Sequence, residues 1–469
     1  MKLIYDVEDR MGFGKLIVFA VQQLLAIMAA TLVVPMIVGH GMKSEAALFG
    51  AGVGTLVYIA FTKKKSPVFL GSSFAFLGSM AAAFAGGVSM EVGYLGLILG
   101  AVFAGLVYVA IAAVVKVIGV NWVDKLMPAV VIGPTVAIIG LSLAGNAIGD
   151  LTSGEIFKEE LVDGVIVKTQ LASPLTAIFC GLVTLFVTIL CSTYGKKTLK
   201  LIPFIMGILA GYAVAAVLTG IGNAADIDAL KVMSFDPLVA LVTKEGGGFA
   251  VTAATFFSVP EFTFVTALGG FSEITGSYIG TIAVAYIPVA FVVFAEHIAD
   301  HKNISSIIER DLLKEPGLSR TLLGDGVGSM AGAIFGGCPN TTYGESVGCV
   351  AITRNASVIT IIAAAVGAIL ISFLSPFVAF VNSIPSCVMG GVCMALYGFI
   401  AVSGLKMLQK VNLGEDKNLF VVSTILIAGI GGLSVTFGKV TLTSVACALI
   451  LGIIVNVMLS KAKPEETEK

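Results

Sequence analysis

Glu345 is the residue whose setting most demands a chemical explanation. It lies in Cys338-Pro339-Asn340-Thr341-Thr342-Tyr343-Gly344-Glu345-Ser346-Val347-Gly348, a helix-breaking stretch between apolar segments. A carboxylate at bilayer depth costs roughly 3 kcal/mol on insertion scales unless something pairs with it, so it is presumed functional. A second acidic group stands upstream in Phe291-Val292-Val293-Phe294-Ala295-Glu296-His297-Ile298-Ala299-Asp300, at the cytoplasmic end of an apolar span that begins near Gly280. Glu296 and Asp300 are one helical turn apart and share a face. Two charged acids so placed repel, and taking up a proton relieves the repulsion, which is the chemistry of a proton carrier. His297 and His301 read as a charged boundary where this helix meets solvent. Glu296, still preceded by Val292 to Ala295, reads as intramembrane.

The elements that must position these groups are membrane helices. Of 469 residues, 57% are hydrophobic and 12% charged, with mean hydropathy +1.02, against about 25% charged in ordinary soluble domains. Runs long enough to cross roughly 30 Å of hydrocarbon recur at Ile17 to Val38, Tyr94 to Val115, Ala172 to Cys191, Ile202 to Leu218, Ile359 to Leu374, Leu419 to Leu433 and Thr441 to Leu459. With the weaker runs between them they make about fourteen spans. The first run is too long for a removable signal peptide and lacks its small-residue cleavage site, so it reads as an anchor. The seven cysteines have no CxxC pair or metal-ligand spacing and read as packing residues.

Lys and Arg accumulate in cytoplasmic loops. With an inside N-terminus, the cytoplasmic turns hold Lys63-Lys64-Lys65, Lys116, Lys125, Lys196, Lys197, Lys200, Lys302, Arg310, Lys314, Arg320, Arg354, Lys406, Lys410 and Lys417. Adding Lys2, Arg10, Lys15 and the tail Lys461, Lys463 and Lys469 gives 22 of the 28 basic residues, leaving Lys43, Lys158, Lys168, Lys231, Lys244 and Lys439 outside. Both termini are therefore expected in the cytoplasm. Asp150 to Gln170 reads as an external loop. Ile221 to Tyr278, with Gly246-Gly247-Gly248, Pro260 and the β-rich run Phe262-Thr263-Phe264-Val265, reads as a longer external connection between two halves.

Each half carries one interrupted span in a matching position. Pro67-Val68-Phe69-Leu70-Gly71-Ser72-Ser73-Phe74-Ala75-Phe76 corresponds to Pro339 to Gly348. Paired Gly/Pro interruptions of this kind point to a transporter's midplane site. Seven spans per half is an odd number, so the two copies are expected to be inverted. The expected organisation is a first repeat over 1–220, an external connection over 221–277, a second repeat over 278–460 and a tail over 461–469.

Ala295-Glu296-His297-Ile298, Arg310-Asp311-Leu312-Leu313-Lys314-Glu315-Pro316-Gly317-Leu318 and Pro339 to Glu345 closely resemble bacterial uracil permeases of the nucleobase/ascorbate transporter family. So do Gly71 to Phe76, Ile352-Thr353-Arg354, Ile384-Pro385 and Val388-Met389-Gly390-Gly391-Val392. The resemblance implies an all-α polytopic membrane protein of fourteen spans in two inverted seven-span repeats. It implies a core and a gate domain, with short antiparallel strands interrupting the third and tenth spans. By the same resemblance, Glu296 and Glu345 contact the substrate through their side chains, Phe74 and Gly344 offer backbone N–H groups, and Tyr343 and Ala30 line the pocket. Asp300 takes the third polar position on the eighth span. The chain departs from the family pattern at Gln22-Gln23, where many members have Gln-His, at Ser346, usually Asn, and at Asp300, His in some members.

Uracil presents two N–H donors and two carbonyl acceptors, which two carboxylates and two backbone N–H groups would satisfy. The expected function is proton-coupled uracil import, with Glu296 and Asp300 moving the proton and Glu345 anchoring the base. The expected partners are uracil, H+, membrane lipid and a second copy of the chain through the gate domains, with no cofactor, metal or nucleic acid. The expected place is the cytoplasmic membrane. A xanthine or purine carrier of the same family is the nearest alternative. An anion carrier of the sulfate-transporter architecture and an intramembrane enzyme are more distant ones.

Overall fold

A computed structural model describes residues 3–162, 165–200, 202–243, 248–409, 411–437 and 440–461. Most of the expected tail (462–469), together with Lys2, Lys244, Gly246, Gly247, Lys410 and Lys439, lies outside the described residues.

The chain runs through α1 (Phe13–Val38), α2 (Ser44–Phe61), strand β1 (Leu70–Ser72), a 3-10 turn (Phe74–Phe76) leading into α3 (Leu77–Ala83), and α4 (Met90–Ile118). It continues with α5 (Asn121–Leu126), α6 (Ala129–Ser142), α7 (Ala144–Leu151), the hairpin β2 (Phe157–Val162) and β3 (Val165–Gln170), α8 (Pro174–Tyr194) and α9 (Pro203–Ala225). Short helices α10 (Asp236–Ala240), α11 (Ala253–Phe256) and α12 (Thr263–Gly270) lead to α13 (Gly276–Ile308), α14 (Leu318–Gly336), β4 (Asn340–Thr342), α15 (Gly344–Thr353) and α16 (Val358–Ile371). The last elements are α17 (Ser375–Asn382), α18 (Ser386–Leu408), α19 (Asp416–Ile430), β5 (Val435–Phe437), β6 (Val440–Leu442) and α20 (Ser444–Met458). Among the described residues, eight helices are long and apolar enough to cross a membrane, taking Ala129–Leu151 as one, and Phe74–Ala83, α16 and α20 are shorter apolar helices.

Two bodies emerge from the packing. In the first, α2 lies on α14, α4 on α14, α2 on α16, α1 on α16 and α13 on α4. In the second, α6 lies on α18, α8 on α9, α19 on α20, and α18 on α7 and α8. The bodies meet where α13 touches α6 and α20, and where α1 touches α9 and α18. The α2–α14 contact depends on missing side chains: a Cβ on Gly50 would lie 2.3 Å from the Gly332 carbonyl oxygen. Small residues let membrane helices approach backbone to backbone, where dispersion replaces the absent hydrophobic drive.

One end of the bundle collects the N-terminal segment and several basic turns. The Ile4 N–H donates to the Arg354 carbonyl at 2.8 Å, Arg310 Nη2 donates to Asp6 Oδ2 at 2.7 Å, and Lys65 bonds Glu315.

Two readings of the chain are corrected here, and the loop over Asp150 to Gln170 acquires a shape. Phe262-Thr263-Phe264-Val265 is not a strand but the start of α12, which packs on α4 and α14. The loop over Asp150 to Gln170 is largely the β2–β3 hairpin. The helix starting near Gly280 does not end in solvent at His297 and His301; it continues to Ile308 with both histidines buried.

Candidate functional site

Pro67 and Pro339 prevent either interruption from continuing as helix, and the backbone groups so freed must find partners where water is absent. They find each other. β1 and β4 pair antiparallel, with Leu70 opposite Thr342, Gly71 opposite Thr341 and Ser72 opposite Asn340. Two further bonds extend the ladder, Ser73 N–H to Pro339 O (2.9 Å) and Tyr343 N–H to Phe69 O (3.2 Å). The neighbouring helices hold both strands. Thr55 Oγ1 on α2 accepts from Leu70 N–H (2.9 Å) and donates to Leu70 O (3.2 Å). Ser329 Oγ on α14 accepts from Asn340 N–H (3.0 Å), while Asn340 Nδ2 donates to Gly50 O (3.0 Å).

Each strand runs directly into a helix start, at Phe74 and at Gly344. The first N–H groups of a helix have no acceptor within it, so both positions present donors beside the strand pair. α13 brings acceptors to the same place. Asp300 Oδ2 accepts from the Thr342 hydroxyl at 2.8 Å, and its Oδ1 lies 3.9 Å from where a Cβ on Gly344 would stand. The carboxyl groups of Glu296, Asp300 and Glu345 are close enough to act on one another electrostatically. Gly344 is exposed and Glu296 and Glu345 are half-buried, although Ala295, His297, Tyr343 and Ser346 around them are buried. The carboxylates and the Gly344 backbone therefore keep accessible surface beside the strand pair, among otherwise buried neighbours. The Phe74 ring meets Tyr397 of α18 edge-on, 5.6 Å between centroids, so the two bodies touch beside these groups.

The other expected site residues serve more as framework. Tyr343 is 4% exposed, and its hydroxyl donates to Ser72 O at 2.7 Å. Its ring lies over Gly71, where a Cβ would fall 2.3 Å from two ring atoms. Ala30 is buried in α1, which packs on α15 and β1. Two departures from the family pattern are partners: Ser346 Oγ accepts from Gln23 Nε2 and, at 3.1 Å, from Phe69 N–H. Among the described residues, no group of three or more His, Cys, Asp or Glu could hold a metal ion.

His297 and His301 are not a solvated boundary. They are 1% and 0% exposed, with rings stacked 4.0 Å apart. His297 bonds Asp325 Oδ2 (2.6 Å) and Thr321 Oγ1 (3.0 Å) of α14, and His301 Nε2 bonds Tyr58 OH (2.7 Å) of α2, which also bonds Ser66. Asp325, Tyr58 and Thr321 were not singled out from the sequence. For Asp325 the signal was present, an acid within the apolar, Gly-rich run Leu318–Gly336.

Residues 14–438 match the family model Xan_ur_permease, described as "Permease family". The uracil permease of Bacillus caldolyticus is 36% identical over 100% of this chain and 97% of its own length, and that of Bacillus subtilis (strain 168) 37% identical over 96% and 94%. The uracil permease of Escherichia coli (strain K12) is 32% identical over 98% and 95%. Two solved structures share the fold at low identity. The transmembrane domain of a cyanobacterium bicarbonate transporter, BicA, has a TM-score of 0.59 at 13% identity, covering 96% of this chain and 99% of that one. The murine anion transporter Slc26a9 in the inward-facing state has a TM-score of 0.62 at 10% identity, covering 97% and 69%.

Proposed function

Because the chain belongs to the Permease family and is a multi-pass membrane protein, we propose that it imports uracil across the cytoplasmic membrane by proton symport. The observation that carries this reading is the polar cluster beside the strand pair, the proposed solute cavity, where Glu296 and Glu345 stand half-buried beside the helix-opening N–H groups of Phe74 and Gly344. Two carboxylate acceptors and two N–H donors match the two donors and two acceptors of uracil. A site of this kind rejects bases that lack a donor, because its own buried groups would be left unpaired. The uracil permeases that align over nearly the whole chain support the choice of base.

In this account Glu345 anchors the base, and Glu296 takes the proton with Asp300 as its relay partner. Tyr343 and Ala30 complete the wall. The transporter has fourteen spans in two inverted repeats, 1–220 and 278–460, joined by an external segment over 221–277. The packing supports the repeat: exchanging α2 with α14 and α4 with α16 turns the α4–α14 contact into α16–α2, and the α8–α9 pair has its counterpart in α19–α20. The strand-bearing body acts as the core and the α6–α9 and α18–α20 body as the gate. Movement of one against the other exposes the cavity alternately. Both termini are cytoplasmic, which the clustering of the N-terminal segment with Arg310 and Arg354 supports. The protein is a homodimer through its gate domains.

The test is calorimetric titration of uracil into the purified protein and into Glu345→Gln. The variant keeps the size of the side chain but replaces an acceptor-only group with an amide, and binding is expected to disappear while the thermal midpoint holds. Unchanged uracil affinity in a folded Glu345→Gln protein would remove Glu345 from the site. Xanthine competing as strongly as uracil would move the assignment to the purine carriers.

A further inference from the structure

The hydrogen-bond partners of His297 bear on where its protons lie. The Thr321 hydroxyl donates to the Leu318 carbonyl at 3.1 Å. A hydroxyl has a single proton, so while Thr321 gives its proton to Leu318 its oxygen can only accept from His297 Nε2, 3.0 Å away, and Nε2 then carries a hydrogen. The remaining contact, His297 Nδ1 to Asp325 Oδ2 at 2.6 Å, then has two forms. Either a protonated Asp325 donates to a bare Nδ1, or an ionised Asp325 accepts from the Nδ1–H of an imidazolium. They differ only by one proton moving from Oδ2 to Nδ1, and both are net neutral. The arrangement with one proton fewer, carboxylate plus an imidazole protonated only at Nδ1, needs Thr321 to turn its proton from Leu318 to Nε2.

A second observation agrees. Asp325 Oδ1 is buried and has no hydrogen-bond partner, whereas an unneutralised carboxylate in a protein interior needs partners on both oxygens. The titratable groups facing the pair supply no compensating positive charge: Glu296 and Asp300 on α13, Tyr58 on α2 and Tyr108 on α4. His301, stacked on His297, donates from Nδ1 to the His297 carbonyl at 2.8 Å and turns Nε2 toward Tyr58 OH.

We infer that His297 and Asp325 form a second proton-holding site in the core, net neutral, on a face of α13 about 100° round from Glu296. Glu296 is the adjacent residue, so the bonds that carry this proton also set the rotation of α13 that turns Glu296 into the cavity. The site does not depend on which solute the cavity takes.

The test is two-bond 1H–15N correlation NMR on full-length protein labelled with 15N-histidine in nanodiscs. The chain has three histidines, and His40→Gln and His301→Gln assign the signals by deletion. If His301→Gln fails to fold, the perturbation of a single histidine by Asp325→Asn assigns His297 instead. The wild-type spectrum is expected to show His297 protonated at Nε2 and His301 protonated at Nδ1. Thr321→Val, which deletes the acceptor, should shift the His297 Nε2 signal selectively. A wild-type His297 that is bare at Nε2 and protonated at Nδ1 would overturn the inference, as would an Nε2 signal indifferent to Thr321→Val.

Discussion

Replacing Gly71 with Ala asks whether the strand pair sets the geometry of the cavity. The new Cβ would stand 2.3 Å from Tyr343 Cε2 and Cζ, against an ordinary carbon contact of about 3.5 Å, so the ring must retreat by about 1 Å. Tyr343 is buried and tied to Ser72 O, and it immediately precedes Gly344 and Glu345. Overpacking of this kind costs about 1–3 kcal/mol, and loss of the tyrosine bond adds about 1 kcal/mol. A displacement of about 1 Å at a binding group costs up to roughly a hundredfold, so uracil affinity should fall about 10- to 100-fold, read by calorimetry alongside the thermal midpoint. Gly71→Ala should also be non-additive with Tyr343→Ala, which deletes the ring it strikes. Uracil affinity within twofold of the parent in Gly71→Ala, or strict additivity in the double variant, would refute the claim that Tyr343 transmits the strand geometry to Glu345.

Two further perturbations test other parts of the structure. Ser346→Ala strips the acceptor from Gln23 Nε2 and from Phe69 N–H, leaving two buried donors unpaired, and should cost about 2 kcal/mol or more, measured as a lower unfolding midpoint in the same detergent. At the end of the bundle that holds the N-terminal segment, the hydrogen bond from Lys65 holds the exposed Glu315 carboxyl below the usual glutamate range. Stabilisation from a lowered carboxyl is present above the ordinary glutamate range and lost as pH falls through the lowered value. Glu315→Gln should therefore lower the thermal midpoint slightly at neutral pH, and not at all in acid or in high salt.

The central carboxylate was legible in the sequence because its cause is local: two prolines stop two helices inside apolar runs, and Glu345 follows one of them. The pairing of those breaks was legible as a matching position in two halves. The register of Leu70 on Thr342, the Thr55 and Ser329 anchors and the Gln23–Ser346 bond were not, since each depends on chains that meet only in three dimensions. His297 and His301 were misread for the same reason. Hydropathy falls after Ala299 as it would at a helix end, but here each imidazole is hydrogen-bonded to a distant partner, Asp325 or Tyr58, and the helix stays buried. Phe262 to Val265 has the aromatic and β-branched composition of a strand, and its packing on α4 and α14 overrode that preference.

Uptake of labelled uracil into proteoliposomes of the purified chain, under an imposed pH gradient with and without sodium, tests the transport account most directly. Accumulation should follow an acidic exterior, collapse when an ionophore removes the pH gradient, ignore sodium, and vanish in Glu296→Gln. Uptake that follows sodium and ignores the pH gradient would contradict it.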